Sequence, residues 1–212
     1  MNFLKDKAFS LDQKQIDLFQ KFYTELKFFQ HLFLTKKETE KEVVELIEDG
    51  ITSGTLFLKS APEETFVDIG SGAGFPGVVL AILDLHRKII LVEPSAKRAE
   101  FLRHIVDTFD FQNRVIVREE VFSFMKERIV LFKAFAPLKK TLQMVKKYLP
   151  EDGVSYHFKG PLYEKDWDRL SLKEKKLWQM KVFVEYKFKN QNRVILEIKK
   201  KSTPHILKNI NL

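Results

Sequence analysis

The chain has 212 residues, no cysteine and a formal net charge of +8. The lack of cysteine excludes a disulfide framework, a thiolate nucleophile and a thiolate metal site, and the five histidines form no recognisable metal-ligand pattern. A chain of this length can bury one α/β core. It shows no basic-then-apolar leader and no apolar run of membrane-spanning length, so a cytoplasmic protein without a membrane partner is expected.

Positive charge is concentrated in the second part of the chain. Residues 1–132 hold 18 Lys and Arg against 21 Asp and Glu, a net of −3, whereas residues 133–212 hold 19 against 8, a net of +11. Such an asymmetry is typical of a polyanion-binding protein, because neutralising phosphates releases counterions. A solvated lysine-rich surface would give the same counts.

Two helices are predicted before the core, and together they form a helical extension over residues 1–60. Apolar side chains recur at helical spacing through residues 11–30, and residues 40–51 give the second helix. The core is predicted over residues 61–200, followed by a flexible tail over residues 201–212.

Strands and helices alternate through the core. The predicted strands are 65–69, 88–93, 114–118, 129–135, 153–159, 181–189 and 193–199, and the predicted helices are 76–83, 95–109, 138–149 and 163–178. This alternation favours an α/β fold with a mainly parallel sheet and helices on both faces. The last two strands alternate around Gln191-Asn192 and suit an antiparallel hairpin at the sheet edge.

A glycine-rich loop follows the first predicted strand. Gly70, Gly72 and Gly74 break the apolar run at the point where the next helix begins. Glycines are needed where a backbone takes positive φ or where a ligand must approach without a Cβ in the way. Asp68 lies just before the loop, and Glu93 ends the next strand, where its carboxylate can accept both hydroxyls of a ribose. The pattern indicates an adenosine-containing cofactor.

The identity of that cofactor follows from the acid beside the loop. The spacing is G-x-G-x-G, not the G-x-G-x-x-G of dinucleotide sites, and Asp68 would oppose a pyrophosphate at the helix start. S-adenosylmethionine carries an ammonium, a sulfonium and a ribose, so an acidic rim suits it better; Asp68 would hold the ammonium. A dinucleotide and a loop that only packs a helix on a sheet remain alternatives, although the second does not explain Asp68 and Glu93 together.

Four segments of the chain resemble one known family. Residues 68–77 (DIGSGAGFPG) and 91–102 (LVEPSAKRAEFL) are similar to the bacterial 16S ribosomal RNA guanine-N7 methyltransferase G family, also called glucose-inhibited division protein B. Residues 134–138 and 158–160 resemble that family's later motifs in the expected order, and the similarity covers about residues 10–200. It implies a Rossmann-like class I methyltransferase fold and methyl transfer from S-adenosylmethionine to guanine N7 in 16S RNA of the small ribosomal subunit. A monomer is expected.

The site expected from the motifs and the resemblance has a cofactor part and a substrate part. The predicted cofactor-binding residues are Asp68, Gly70, Gly72, Gly74, Phe75, Glu93, Val121, Phe122 and Lys133. The predicted substrate-binding residues are Lys97, Arg98, Lys159 and Arg193, and these cations are expected to form one rim with Lys133. No general base is expected, because N7 carries a free lone pair, and no metal is expected, because the histidines form no ligand cluster. Lys133 and Lys159 would position the reactants.

Several positions depart from the family pattern. The family's His-x-x-Asp-Ser is Leu46-Ile47-Glu48-Asp49-Gly50 here, without the histidine, and its Asn-Leu-Thr is Phe33-Leu34-Thr35. The arginine expected before Ala134-Phe135-Ala136 is Lys133, and one expected near position 120 is Glu120. A methyltransferase for a small molecule or protein, and a cofactor-binding ribosome-assembly factor without turnover, therefore stay open as alternatives.

Overall fold

A computed structural model describes residues 9–33, 40–112, 114–120 and 127–201 of the chain. The helices are α1 (Gln13–Phe28), α2 (Glu40–Leu58), α3 (Gly77–Leu83), α4 (Ala96–Thr108), α5 (Leu138–Tyr148), α6 (Tyr163–Asp168) and α7 (Leu172–Lys175), with a 3₁₀ turn at Gln30–Leu32. The strands are β1 (Phe66–Ile69), β2 (Ile89–Val92), β3 (Val115–Arg118), β4 (Ile129–Lys133), β5 (Val154–Lys159), β6 (Trp178–Phe188) and β7 (Gln191–Lys200).

The seven strands form one sheet in the order β3-β2-β1-β4-β5-β7-β6. The first five strands in that order are parallel, and β7 runs antiparallel to both β5 and β6. The predicted fold class, a mainly parallel sheet closed by a C-terminal antiparallel hairpin, is confirmed.

The sheet separates two hydrophobic cores because side chains alternate along each strand. On β1, Phe66 points into the core that α1 to α4 cover, whereas Val67 and Ile69 point into the core under α5. The first core also takes Phe19 from α1 and Ile47 from α2, both fully buried. The helical extension is therefore a layer on one face of the sheet. Each such apolar side chain contributes roughly 1.5–3 kcal/mol to folding.

The start of α1 is fixed by local hydrogen bonds and by a contact to α3. The Asp12 carboxylate accepts from the Gln15 amide at 2.8 Å, and the Gln15 side chain accepts from the Asp12 amide at 3.1 Å, which closes a capping box. The Gln15 side chain also donates to the Leu83 carbonyl oxygen at 2.9 Å. These bonds position the first helix against the end of α3.

The structure differs from the sequence prediction mainly in three places. Helix α2 continues to Leu58, because Gly50 and Gly54 inside it let α3 pack closely against its backbone. The predicted helix over 163–178 is instead α6, α7 and the beginning of β6, where Trp178 is buried against the second core. The hairpin turns at Lys189 and Asn190, whose φ angles are 45° and 61°, and not at Gln191-Asn192. Positive φ at both central residues is the geometry of a tight two-residue hairpin.

His157 is a fully buried histidine in the middle of β5. Its ring stacks on Phe132 at 4.9 Å between centroids. The Ser155 hydroxyl donates to the Ile198 carbonyl oxygen and lies 3.1 Å from His157 Nε2, so Nε2 carries the hydrogen and Nδ1 stays a buried acceptor without a partner among the described residues. Burial lowers the pKa of His157 to about 3, with Lys159 adding to the shift, and the imidazole is neutral.

Because His157 is buried in its neutral form, we expect the free energy of unfolding to fall at acidic pH. The folded-state pKa of His157 lies below that of an unfolded histidine, about 6.5. The contribution of the neutral imidazole to folding stability is therefore complete above about pH 6.5 and is lost as the pH falls toward 3. Urea unfolding at about pH 6.5 and 4.5 measures how much unfolding free energy each protein loses on acidification. Wild type should lose about 1 kcal/mol or more beyond what His157→Gln loses. His86→Gln, at an exposed histidine, is the control and should follow wild type. Parallel curves for all three proteins would contradict this assignment.

Candidate active site

Most of the predicted site residues that the structure describes lie at the carboxyl edge of the parallel strands. The glycine loop follows β1 and Glu93 follows β2, while Lys133 ends β4 and Lys159 ends β5. Arg193 reaches the same edge from the start of the antiparallel strand β7, where its neighbour Val194 pairs with Lys159. Ligands of open α/β sheets bind at this edge.

The glycines of the loop have different surroundings. A Cβ at Gly70 would lie 2.1 Å from the Phe135 ring, and one at Gly74 would lie 2.8 Å from the Val78 side chain. A Cβ at Gly72 would meet only the carbonyl oxygen of Gly70, at 3.7 Å, although its φ of +53° still favours glycine. Gly70 and Gly74 therefore allow the loop to pack, and Gly72 is where the backbone faces open space.

Asp68 is fully buried beneath this loop. Its Oδ2 accepts from the Gly77 amide at 3.0 Å, and its backbone oxygen accepts from the Ser71 hydroxyl at 2.9 Å. Oδ1 is buried without a hydrogen-bond partner among the described residues. Burial raises the pKa of Asp68 to about 7, against the opposing effect of the bond from Gly77. An unpartnered buried carboxylate oxygen is costly, and a cationic ligand group placed beside it would remove that cost.

Glu93 ties the glycine loop to α4. Its Oε2 accepts from the Gly72 amide and its Oε1 accepts from the Ser95 amide, each at 2.9 Å, and the residue is 5% exposed. An ionised carboxylate has about four acceptor sites, so these two bonds leave it able to accept from further hydroxyls. The acid is therefore held rigidly beside the open face of Gly72.

This arrangement fits S-adenosylmethionine. The backbone at Gly72 faces open space, the buried Asp68 beneath the loop has an unpartnered oxygen suited to a cation, and Glu93 has acceptor sites suited to a ribose. The predicted contact Phe75 is buried, with its ring 5.5 Å from that of Phe22, so it packs the loop onto the helices. The predicted contacts Val121 and Phe122 lie outside the described residues.

A second part of the site is a cavity of ≈250 Å³ beside the loop, with four charged side chains in its lining. Its lining brings together α2 and the ends of β4, β5, β6 and β7. The lining residues are Asp49, Lys133, Ala134, Phe158, Lys159, Gly160, Tyr186 and Arg193. Three of the predicted cations, Lys133, Lys159 and Arg193, are therefore in one place.

The carboxylate of Asp49 organises this cavity. Its Oδ2 accepts from Lys133 Nζ at 2.9 Å and its Oδ1 accepts from the Tyr186 hydroxyl at 2.9 Å. Arg193 Nε lies 4.0 Å from the same Oδ1. Burial and the charge of Asp49 raise the pKa of Tyr186, which keeps its hydroxyl protonated as a donor. Lys159 is held separately, 3.0 Å from Asp166 Oδ2.

The sequence prediction missed Asp49 and Tyr186. Asp49 matches the aspartate of the family's His-x-x-Asp-Ser pattern, in which this chain lacks the histidine. Its place between Ile47 and Ile51, both fully buried, was the available signal, because a carboxylate in such a run needs a partner. Tyr186 carried no comparable signal. The alternation of residues in β6 predicts on which face of the sheet its side chain lies, but not which residue that side chain contacts.

Lys97 and Arg98 lie apart from this cavity. Arg98 Nε donates to the Leu32 carbonyl oxygen at 3.3 Å, and its guanidinium lies 6.0 Å from the Phe33 ring centroid. Lys97 is exposed and lines a different cavity of ≈370 Å³ with Leu32 and other residues of the 3₁₀ turn and α4. The five cations expected to form one rim therefore fall into two groups.

Other kinds of site find no support in the part of the chain that the structure describes. Within these ranges no group of three or more His, Asp and Glu side chains could hold a metal ion, and no helix is long and apolar enough to cross a membrane. A larger cavity of ≈650 Å³ lies at the opposite, amino edge, where Arg87 and Asp84 already form an ion pair at 2.8 Å.

Comparison with known proteins identifies the family. Residues 15–196 match the family model described as rRNA small subunit methyltransferase G. A ribosomal RNA small subunit methyltransferase G from Thermotoga petrophila is 29% identical over 94% of this chain and 89% of its own length. The methyltransferase G 3 of Bdellovibrio bacteriovorus is 29% identical over 66% of this chain, and the chain spans 64% of that protein's length.

A solved structure has the same fold. An RNA methyltransferase from Salinibacter ruber, crystallised with S-adenosyl-L-homocysteine, superposes with a TM-score of 0.51 at 10% identity, covering 75% of this chain and 94% of its own. At that identity the likeness concerns the fold alone. The family match extends over most of the residues that build the two parts of the site, and the chain belongs to the rRNA small subunit methyltransferase G family.

Proposed function

We propose that the protein transfers a methyl group from S-adenosylmethionine to N7 of a guanine in 16S RNA of the small ribosomal subunit. The observation that carries the proposal is the juxtaposition of the open glycine cradle, flanked by Asp68 and Glu93, with a cavity lined by Lys133, Lys159 and Arg193. The family match supports the small-subunit RNA as the substrate class.

The cofactor is held by the loop after β1 and the acid after β2. Asp68 binds the ammonium, Gly72 lets the backbone approach the ligand, and Glu93 accepts from the ribose hydroxyls. Bound S-adenosylmethionine supplies a methyl group on a positively charged sulfur, which is electrophilic without further activation. The protein's task is then to orient the acceptor and to exclude water, which can supply roughly 7–11 kcal/mol of a barrier.

The acceptor needs little chemical help. Guanine N7 carries a free lone pair, so no proton has to leave before it attacks. Asp49 is already engaged by Lys133 and Tyr186, and its role is to hold these two donors in place. Lys159 and Arg193 then contact phosphate or base acceptors of the target nucleotide, which must be unstacked to enter the cavity.

Replacing Gly72 should remove cofactor binding. Gly72→Val would place a branched side chain in the open space of the cradle at a φ of +53°, so calorimetry should detect no S-adenosylmethionine binding. Gly160→Ala is the matched control, because that glycine lines the substrate cavity and should keep wild-type cofactor affinity. Wild-type affinity in Gly72→Val would show that the cradle does not hold the ligand.

Cofactor affinity should depend on the ionisation of Asp68. A cation beside Oδ1 favours the carboxylate, so affinity should rise from about pH 5.5 to about pH 7.5 as Asp68, with a pKa of about 7, releases its proton. Asp68→Asn should bind at least about tenfold more weakly at neutral pH, without the rise. Its free energy of unfolding at neutral pH should not fall, because a carboxyl with a raised folded-state pKa destabilises the fold above its unfolded pKa.

Calorimetry from pH 5.5 to 7.5, with chemical unfolding at the same values, measures both effects. Asp152→Asn, at a carboxylate that is 65% exposed, should keep the wild-type profile. An unchanged pH profile in Asp68→Asn would assign the cofactor contact to another group.

The reaction is tested by mapping N7-methylguanosine in 16S RNA after incubating small subunits with the protein and S-adenosylmethionine. Lys159→Ala should lower methyl transfer by about tenfold or more while cofactor affinity stays within twofold, and Lys59→Ala, at an exposed lysine outside the cavity, should behave as wild type. Transfer to a small molecule or protein, but not to RNA, would favour the first alternative. Cofactor and subunit binding without transfer would favour an assembly factor.

A further inference from the structure

Helix α5 is a strongly cationic helix on the face of the sheet opposite α1 to α4. It carries four lysines and no acidic residue, and Leu138, Leu142 and Val145 form its buried side. All four lysines are exposed. Helical spacing sets Lys139 and Lys146 on one row and Lys140 and Lys147 on the next. The helix therefore presents two rows of positive charge to solvent.

The segment around α7 extends this surface. A shallow groove of ≈170 Å³ runs between α5 and the end of α7, with Leu170, Leu177 and Trp178 in its lining. Lys139 forms an ion pair with Glu174 of α7 at 3.1 Å, which links the two helices across the groove. Lys173 and Lys176 are exposed beyond the groove. We call this surface, made of α5 and residues 172–177, the lysine face.

Most of this charge is not neutralised within the described part of the chain. Lys139 and Lys175 have carboxylate partners there, Glu174 and Asp168. Five lysines form no ion pair with a described carboxylate: Lys140, Lys146, Lys147, Lys173 and Lys176. Like charges held close together repel one another, and an anionic partner relieves that repulsion while releasing its own counterions.

The lysine face begins at the active site. Helix α5 starts five residues after Lys133, at the carboxyl edge of the sheet, and extends roughly 16 Å away from it. An RNA strand that places a nucleotide in the cavity at Lys133 can therefore continue along α5. Lysines are flexible point charges that contact phosphates without reading bases, so the surface suits an RNA backbone and not a particular sequence.

We propose that the lysine face is a second RNA contact, separate from the methyl-transfer cavity, that binds the ribosomal RNA backbone beside the target nucleotide. This inference rests on the proposed function. It assigns these lysines to substrate affinity and salt dependence, and it leaves cofactor binding and the transfer step to the cavity and the glycine loop.

The test is the triple variant Lys140→Gln, Lys146→Gln and Lys147→Gln. The control is Lys14→Gln, Lys59→Gln and Lys88→Gln, which removes the same charge from exposed lysines outside the lysine face. Binding to small subunits and to 16S RNA is measured across salt concentrations. The test variant should weaken binding about 10- to 100-fold at 0.1 M salt and reduce the slope of log affinity against log salt by about 2. Its KM for RNA should rise while kcat and S-adenosylmethionine affinity stay within about twofold.

The outcomes separate the two proposals. Equal salt slopes in the test and control variants, with wild type methylating RNA, would overturn the lysine face alone. Wild type that neither binds nor methylates RNA would overturn the proposed function as well. Loss of binding to anionic lipid vesicles in the test variant, with RNA binding unchanged, would assign the face to a membrane surface and also overturn it.

Discussion

The site depends on the parallel register that places β1 between β2 and β4. Asp68 pairs with Leu91 on one side and Leu131 on the other, so the three strands end together. The glycine loop follows β1, Glu93 follows β2, and Lys133 is the last residue of β4. The amides of Gly70 and Ser71 continue the ladder by donating to the Val92 carbonyl oxygen. The loop is therefore anchored to β2 before it turns, and Glu93 is held where it can bond the Gly72 amide. A shift of one residue in the strand register would move side chains such as Asp68 to the opposite face of the sheet.

The two buried aspartates show different ways of keeping a charge out of water. Asp49 is compensated within the protein, by Lys133 and Tyr186. Asp68 has one oxygen bonded and one without a partner among the described residues, and burial raises its pKa to about 7. The first arrangement makes a rigid, pre-oriented cavity wall. The second stores an unfavourable interaction that a cationic ligand can relieve, so folding stability is exchanged for ligand affinity at that position.

Charge is divided between the two faces of the sheet. The first core is covered by α1 to α4, from the part of the chain that is net negative, whereas α5 to α7 come from the part with a net charge of +11. The cavity lies where the two parts meet, since Asp49 comes from α2 and its partners come from β4, β6 and β7. A polyanion approaching from the α5 side would be attracted toward the cavity and repelled beyond it.

Much of this protein could be predicted from the sequence. The order of strands and helices, the parallel sheet and its closing hairpin follow from local periodicity, because each pattern is written in consecutive residues. The glycine loop with Asp68 and Glu93 was also visible, since the turn and the strand end fix those positions relative to the sheet. The family resemblance came from the same segments, and the family match over residues 15–196 confirms it.

Only the tertiary structure shows which distant residues the side chains of the site contact. The bond from Tyr186 to Asp49 joins residues 137 positions apart, and no local pattern contains it. Lys97 and Arg98 are adjacent to the cofactor motif in sequence, yet the turn of α4 directs Arg98 to Leu32 and away from the cations at Lys133. Sequence spacing gives the edge of the sheet at which a residue lies. The partner that a side chain finds there depends on which helices pack across that edge, and only the folded chain specifies that.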